Sequence, residues 1–229
     1  MRVTGSSVRR RAERHGPASR ELRNLDTVPR PKYHSVIGSQ AVDLPIVELD
    51  GDTAIALLIT VDQGIRFCEV AGAELAALLG DLGVEVVASV ATMGIPIAIE
   101  VTRYLGLDQY VILHKTPKIH LADAVVEPVR SITTVAPQRL LFDRERIGAV
   151  RGRRVALVDD VVSTGGSCAA ALRLLRGIGA EPVVIGAIVT EGTAWRATLG
   201  EDARLVRVLG ELPLFRPCGD GTYEVVGGA

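Results

Sequence analysis

The sequence predicts an α/β fold, a mostly parallel sheet flanked by helices, and three observations carry that expectation. Short β-branched runs alternate with helix-spaced apolar runs along most of the 229 residues. Apolar residues make up 48% and aromatics only 3%, a balance of Ala, Val, Leu and Gly that suits strands covered on both faces. No internal repeat or low-complexity linker interrupts the alternation, so a single α/β unit accounts for the bulk of the chain.

Residues 53–59 read as a strand. Phe67, Val70, Ala71, Leu75, Leu78 and Leu79 then fall at helical spacing, and Gly80 and Gly83 close that helix. Residues 84–90 are short, β-branched and bounded by turns, as a buried parallel strand is. Residues 95–105 follow as a helix that accommodates Pro96 in its first turn, and residues 109–113 as the next strand. The proline-containing stretch 115–146 predicts an excursion from the sheet, a hairpin with a mobile tip. A strand over residues 154–158, a helix over 167–178 ended by Gly179 and a strand over 183–189 restore the βαβ rhythm, whose crossovers imply parallel pairing. Residues 190–229 are less regular, hold one strand candidate at 205–209, and are expected to cap or edge the same domain.

Charge and cysteine usage narrow the function. A formal net charge of −1 provides no global field for DNA, RNA or an anionic membrane, so any anion site has to be local. Residues 1–32 form a basic N-terminal arm that includes Arg9, Arg10 and Arg11; a solvated tail or a subunit contact is expected of it before nucleic-acid binding. Cys68, Cys168 and Cys218 lack disulfide or zinc spacing and read as inert thiols. No apolar run is long enough to span a bilayer and no secretory stretch opens the sequence, so a cytoplasmic location with no membrane partner is expected.

The chemistry concentrates in residues 155–175. Four apolar residues, Val155 to Val158, make a buried strand, and Asp159 and Asp160 stand where that strand is expected to end, which is where open α/β sheets bind ligands. Ser163, Thr164, Gly165, Gly166 and Ser167 follow, hydroxyls and two glycines just before a helix, so backbone N–H groups can approach an anion that the helix N-terminus also favours. Carboxylates for sugar hydroxyls beside a nest for a phosphate monoester describe a ribose 5-phosphate site. A nucleotide P-loop is excluded because no lysine follows Gly165 and Gly166, and Gly177-Ile178-Gly179 closes a helix rather than opening a dinucleotide fold.

This ordered segment resembles the binding motif for 5-phosphoribosyl-1-pyrophosphate (PRPP) in the type I phosphoribosyltransferases, and the resemblance extends in element order over roughly residues 33–215. It implies that fold, with a flexible loop or hairpin and a small hood built from about residues 190–229 and part of the N-terminal region; the transferase domain then spans residues 33–229. It further implies transfer of the ribosyl phosphate to a purine or purine-like base, Mg²⁺ carried mainly on PRPP with no direct protein ligand assigned, and a homodimer. By the same resemblance Ser163, Thr164, Gly165, Gly166 and Ser167 take the 5-phosphate. Asp159, Asp160 and Lys115 form the catalytic set, and Thr92, Met93, Gly94, Lys115 and Lys118 hold the pyrophosphate. Members most like this chain often have an acid near Ala91, a base near Met93 and an arginine at His114, so those side-chain contacts differ here. The stretch from Ser131, Ile132, Thr133 and Thr134 to Asp143 and Arg144 is similar to the loop that closes over the site, and it offers Thr134, Gln138 and Arg139. Glu191 and Trp195 fall where the family binds its base, Glu191 as an acceptor and Trp195 as a stacking platform. Leu212, Pro213, Leu214 and Phe215 resemble a C-terminal feature of xanthine- and adenine-type members. The alternatives from other classes are a PRPP-sensing regulator without transferase activity and a pyrophosphokinase relative, for whose ATP the sequence offers no feature.

Overall fold

The computed structural model describes residues 30–129 and 138–226. The basic arm with Arg9, Arg10 and Arg11, and the hairpin tip with Ser131, Ile132, Thr133 and Thr134, lie outside the described residues. The elements run β1 (Lys32–Ile37), β2 (Gln40–Glu48), β3 (Ala54–Ala56), α1 (Thr60–Gln63), α2 (Ile65–Leu79), β4 (Val86–Val90), α3 (Ile95–Tyr104), β5 (Tyr110–Leu113), β6 (Val125–Val129), β7 (Gln138–Phe142), β8 (Arg154–Val162), α4 (Gly166–Gly177), β9 (Glu181–Glu191), α5 (Ala194–Leu199), β10 (Val206–Leu212), β11 (Leu214–Pro217) and β12 (Tyr223–Val226).

The central sheet has the order β10-β9-β8-β4-β5 and every pair in it is parallel. Its middle strands are apolar without alternation because both faces are covered; all five residues of β4 are buried. The strand period still sorts side chains to two cores. Ala156 and Val158 of β8 join one core with Leu75 and Leu79 of α2 and Ile97 and Val101 of α3, while Val155 and Leu157 join a second with Leu172 and Leu175 of α4. The α/β class expected from the sequence is the one observed. Among the described residues no helix is long and apolar enough to cross a membrane.

Three differences from the sequence reading have physical causes. Residues 53–59 supply only the short β3, which pairs antiparallel with β2 and β11 in a second sheet of order β1-β2-β3-β11-β12. Its strands come from the N-terminal region and from residues after 190, the two parts of the hood that the resemblance implies, and β2 alternates, with Val42, Leu44 and Ile46 buried and Asp43 exposed. Its inner face, with Ile37, Leu44 and Phe215, closes the first core. The less regular C-terminal stretch contains β10, β11 and β12. Finally, β8 does not stop at Val158. Its pairing with β4 ends at Ser89 and Val158, but β9 continues alongside and pairs with Asp159, Val161 and Val162. The aspartates therefore sit on a strand with one ladder still formed and its other edge open.

The excursion after β5 is the expected hairpin, β6 against β7 from Val125–Phe142 to Val129–Gln138. It is tied to the sheet by paired 2.8 Å backbone bonds between His114 and Leu141. Arg173 of α4 holds its other side, donating to Glu127 at 2.7 Å and to the Pro128 carbonyl at 3.2 Å.

Candidate active site

Beyond the C-terminal ends of β4, β5 and β8 lies a cleft of about 260 Å³. The loop after β4 supplies Thr92 and Met93, the turn after β5 supplies Lys115, and β8 with the turn into α4 supplies Asp159, Asp160, Ser163, Thr164, Gly165, Gly166 and Ser167. Residues far apart in the sequence meet here because parallel strands deliver all their C-terminal ends to one edge.

The turn into α4 is shaped by glycine. Gly165 has φ +78°, and a β-carbon on it would meet the Trp195 Cα and carbonyl oxygen at 3.2 Å and the Thr198 Cβ at 3.3 Å. Conformation disfavours a side chain, and the space for one is tight. Helix α4 then opens into the cleft with no acidic residue in its first turn, so its unpaired N–H groups and positive dipole end favour an anion.

On the facing side, Gly94 packs against the carboxylate strand. A β-carbon there would lie 2.6 Å from Asp159 Oδ1 and 3.1 Å from its Cα. Gly94 thus stands behind the cleft wall rather than in it. The Ala91–Thr92 peptide is cis. Thr60, fully buried in α1, donates its hydroxyl to the Met93 carbonyl at 2.8 Å and braces the same loop. A single hydroxyl inside the apolar run from Ala54 to Val61 was the one sequence signal for Thr60.

The charges are arranged unequally. Asp159 is buried, with Oδ1 accepting the Asp160 N–H at 3.0 Å, and burial followed by repulsion from Asp160 pushes its acid well above the usual carboxylate range, with Lys115 pulling the other way. Cys168, behind the turn, is pushed up by burial and then by Asp159, which keeps it a neutral thiol at physiological pH.

Three sequence candidates stand elsewhere. Lys118 is exposed and does not line the cleft. Glu191, 6% exposed at the end of β9, is raised by burial and lowered by a hydrogen bond with the Ser163 side chain, so it supports the turn from behind. Trp195 is 4% exposed in the second core, donates its indole N–H to the Gly192 carbonyl at 3.1 Å, and has the Arg196 guanidinium 4.4 Å from its ring centroid. Trp195, expected as a stacking platform, is instead buried as a buttress under Gly165. Trp195→Ala is expected to lower unfolding free energy by about 3–5 kcal/mol, measured by urea denaturation.

Comparison with known proteins places the chain in a family. The family model described as "Phosphoribosyl transferase domain" matches residues 72–207. A hypoxanthine/guanine phosphoribosyltransferase of Methanobacterium lacus is 31% identical over 148 residues, 65% of this chain and 72% of that relative. A protein of Methanocella arvoryzae named transcriptional regulator GfcR is 30% identical over 109 residues, 48% of this chain and 47% of the relative. The chain spans about half the length of several curated relatives it matches. Among solved structures, an adenine phosphoribosyl transferase from Trypanosoma brucei superposes with a TM-score of 0.57 at 17% identity, covering 79% of this chain and 76% of that one, a likeness of fold. With the carboxylate strand and glycine turn inside the matched segment, the chain belongs to the phosphoribosyl transferase domain family.

Proposed function

We propose that the chain transfers the 5-phosphoribosyl group of PRPP to a ring nitrogen of a purine or purine-like base and releases pyrophosphate. The observation that carries this reading is the meeting of a carboxylate pair, a glycine turn at a helix N-terminus and Lys115 in one cleft. The purine preference is supported by the relatives named hypoxanthine/guanine phosphoribosyltransferase.

In this reading the N–H groups and hydroxyls of Ser163 to Ser167 bind the 5-phosphate, and Asp159 and Asp160 accept from the ribose hydroxyls. Thr92 and Met93 form the pyrophosphate wall, with Gly94 packed behind them, and Lys115 adds the positive charge that the leaving group needs. Lys118 is an outer contact to the same group. Holding the sugar at both ends of its reacting bond supplies most of the rate, so no nucleophilic triad is required.

Magnesium belongs to this reading as a companion of PRPP, with no direct protein ligand assigned to it. Held mainly through PRPP beside Lys115, it would supply positive charge to the pyrophosphate. The same reading includes a homodimer, a cytoplasmic location, a transferase domain over residues 33–229 and an N-terminal arm over 1–32. Sedimentation at twice the 24.3 kDa chain mass checks the dimer.

Incubation with PRPP, Mg²⁺ and adenine, hypoxanthine, guanine, xanthine, uracil or orotate tests the reaction, with pyrophosphate release expected for a purine. A second reading, a PRPP-sensing regulator, is favoured by the relative named GfcR. PRPP binding without turnover of any base, together with salt-dependent DNA binding, would establish it instead.

A further inference from the structure

Ser89, near the end of β4, is fully buried, and its hydroxyl has no hydrogen-bond partner among the described residues. Buried hydroxyls are rarely left so, because desolvation is then uncompensated. Its surroundings explain it. A β-carbon on Gly94 would lie 2.5 Å from Ser89 Oγ and 2.6 Å from Asp159 Oδ1. Both oxygens therefore face one point above Gly94, with no side chain between them. Ser89 is also the register partner of Val158, the residue before Asp159.

We propose that Ser89 is a positioning residue whose hydroxyl donates to the Asp159 carboxylate when that group carries charge against the ribose, an inference that rests on the PRPP reading above. The other groups that face Asp159 are Asp160 on its own strand, Lys115 after β5 and the Cys168 thiol of α4. A neutral carboxyl brings its own proton and needs no added donor, whereas an anion buried beside Asp160 does. Ser89 touches no substrate; it acts through the orientation and ionisation of Asp159.

Ser89→Ala and Ser89→Cys test the role, the second keeping volume while weakening the donor. Both are expected to melt at or above the wild-type temperature, since they remove a buried hydroxyl that lacks a partner. In both, the acid limb of kcat/KM for PRPP should move up by about one pH unit, an about tenfold loss below the limb. An unmoved limb in an active enzyme overturns the role. If the wild type turns over no base and calorimetry finds no binding of PRPP with Mg²⁺, the substrate reading falls. The carbon-13 titration of the Asp159 carboxyl in the ligand-free protein then decides: a raised midpoint in Ser89→Ala supports the contact with Asp159, and an equal midpoint overturns it.

Discussion

Asp159→Asn combined with Asp160→Asn is expected to lower kcat/KM for PRPP by about two to four orders of magnitude, because each carboxylate offers a charge-assisted hydrogen bond of about 1.5–3 kcal/mol to a sugar hydroxyl. Asparagine keeps the volume and one acceptor oxygen, so the loss reports charge rather than packing. Asp159 is 8% exposed on a strand still paired to β9, which holds its backbone in place through the change. Steady-state kinetics with a purine and Mg²⁺ measures the effect; unchanged activity in the double variant removes both residues from the site.

The same substitution has an opposite signature in stability. The acid of Asp159 is raised in the folded protein by burial and by Asp160. Between its unfolded value near 4 and the raised native value the folded chain binds more protons, so stability falls as pH rises through that window and is flat above it. Activity that needs the anion rises through the same window. Asp159→Asn should therefore flatten the melting temperature against pH and leave the ligand-free variant more stable than wild type at the alkaline side, while turnover is lost. In the proposed reading the site holds an anion that folding disfavours and that ribose hydroxyls would stabilise.

Much of this site was legible because it is local. Val155 to Ser167 is one continuous segment whose residue types each carry a separate physical reason, and the parallel sheet follows from apolar runs that do not alternate. What could not be read depended on distant partners. The length of β9 keeps β8 extended past Val158, and no residue of β8 announces that. Glu191 and Trp195 stand at the expected place in the sequence, yet the turn at Gly192 and the packing of α5 against Gly165 direct them behind the phosphate turn rather than into the cleft. The resemblance joined the N-terminal region and residues 190–229 in a hood, but the strand pairing that closes it, with β11 more than 150 residues after β2, is not written in either segment alone. Ser89 inside a buried strand reads as an ordinary small residue until Gly94 and Asp159 are placed beside it.

Gly165→Ala is expected to lower affinity for ribose 5-phosphate by about tenfold, equivalent to about 1.4 kcal/mol. Two strains add. The residue sits at φ +78°, a region costing an L-residue about 1–2 kcal/mol, and its new methyl meets the backbone of Trp195, which cannot swing aside as a flexible side chain does. Relief moves α5 or the turn itself, and moving the turn withdraws the N–H groups aimed at the phosphate. Gly177→Ala is the matched control, at the other end of the same helix, where an added β-carbon meets nothing within 4 Å and φ is not positive. That change should leave affinity intact and stabilise the fold by about 0.5–1 kcal/mol through helix propensity and a less flexible unfolded chain. Calorimetric titration of both variants with ribose 5-phosphate, beside their melting temperatures, separates the two cases. Equal affinities for the two would mean that the phosphate is held elsewhere than at the N-terminus of α4.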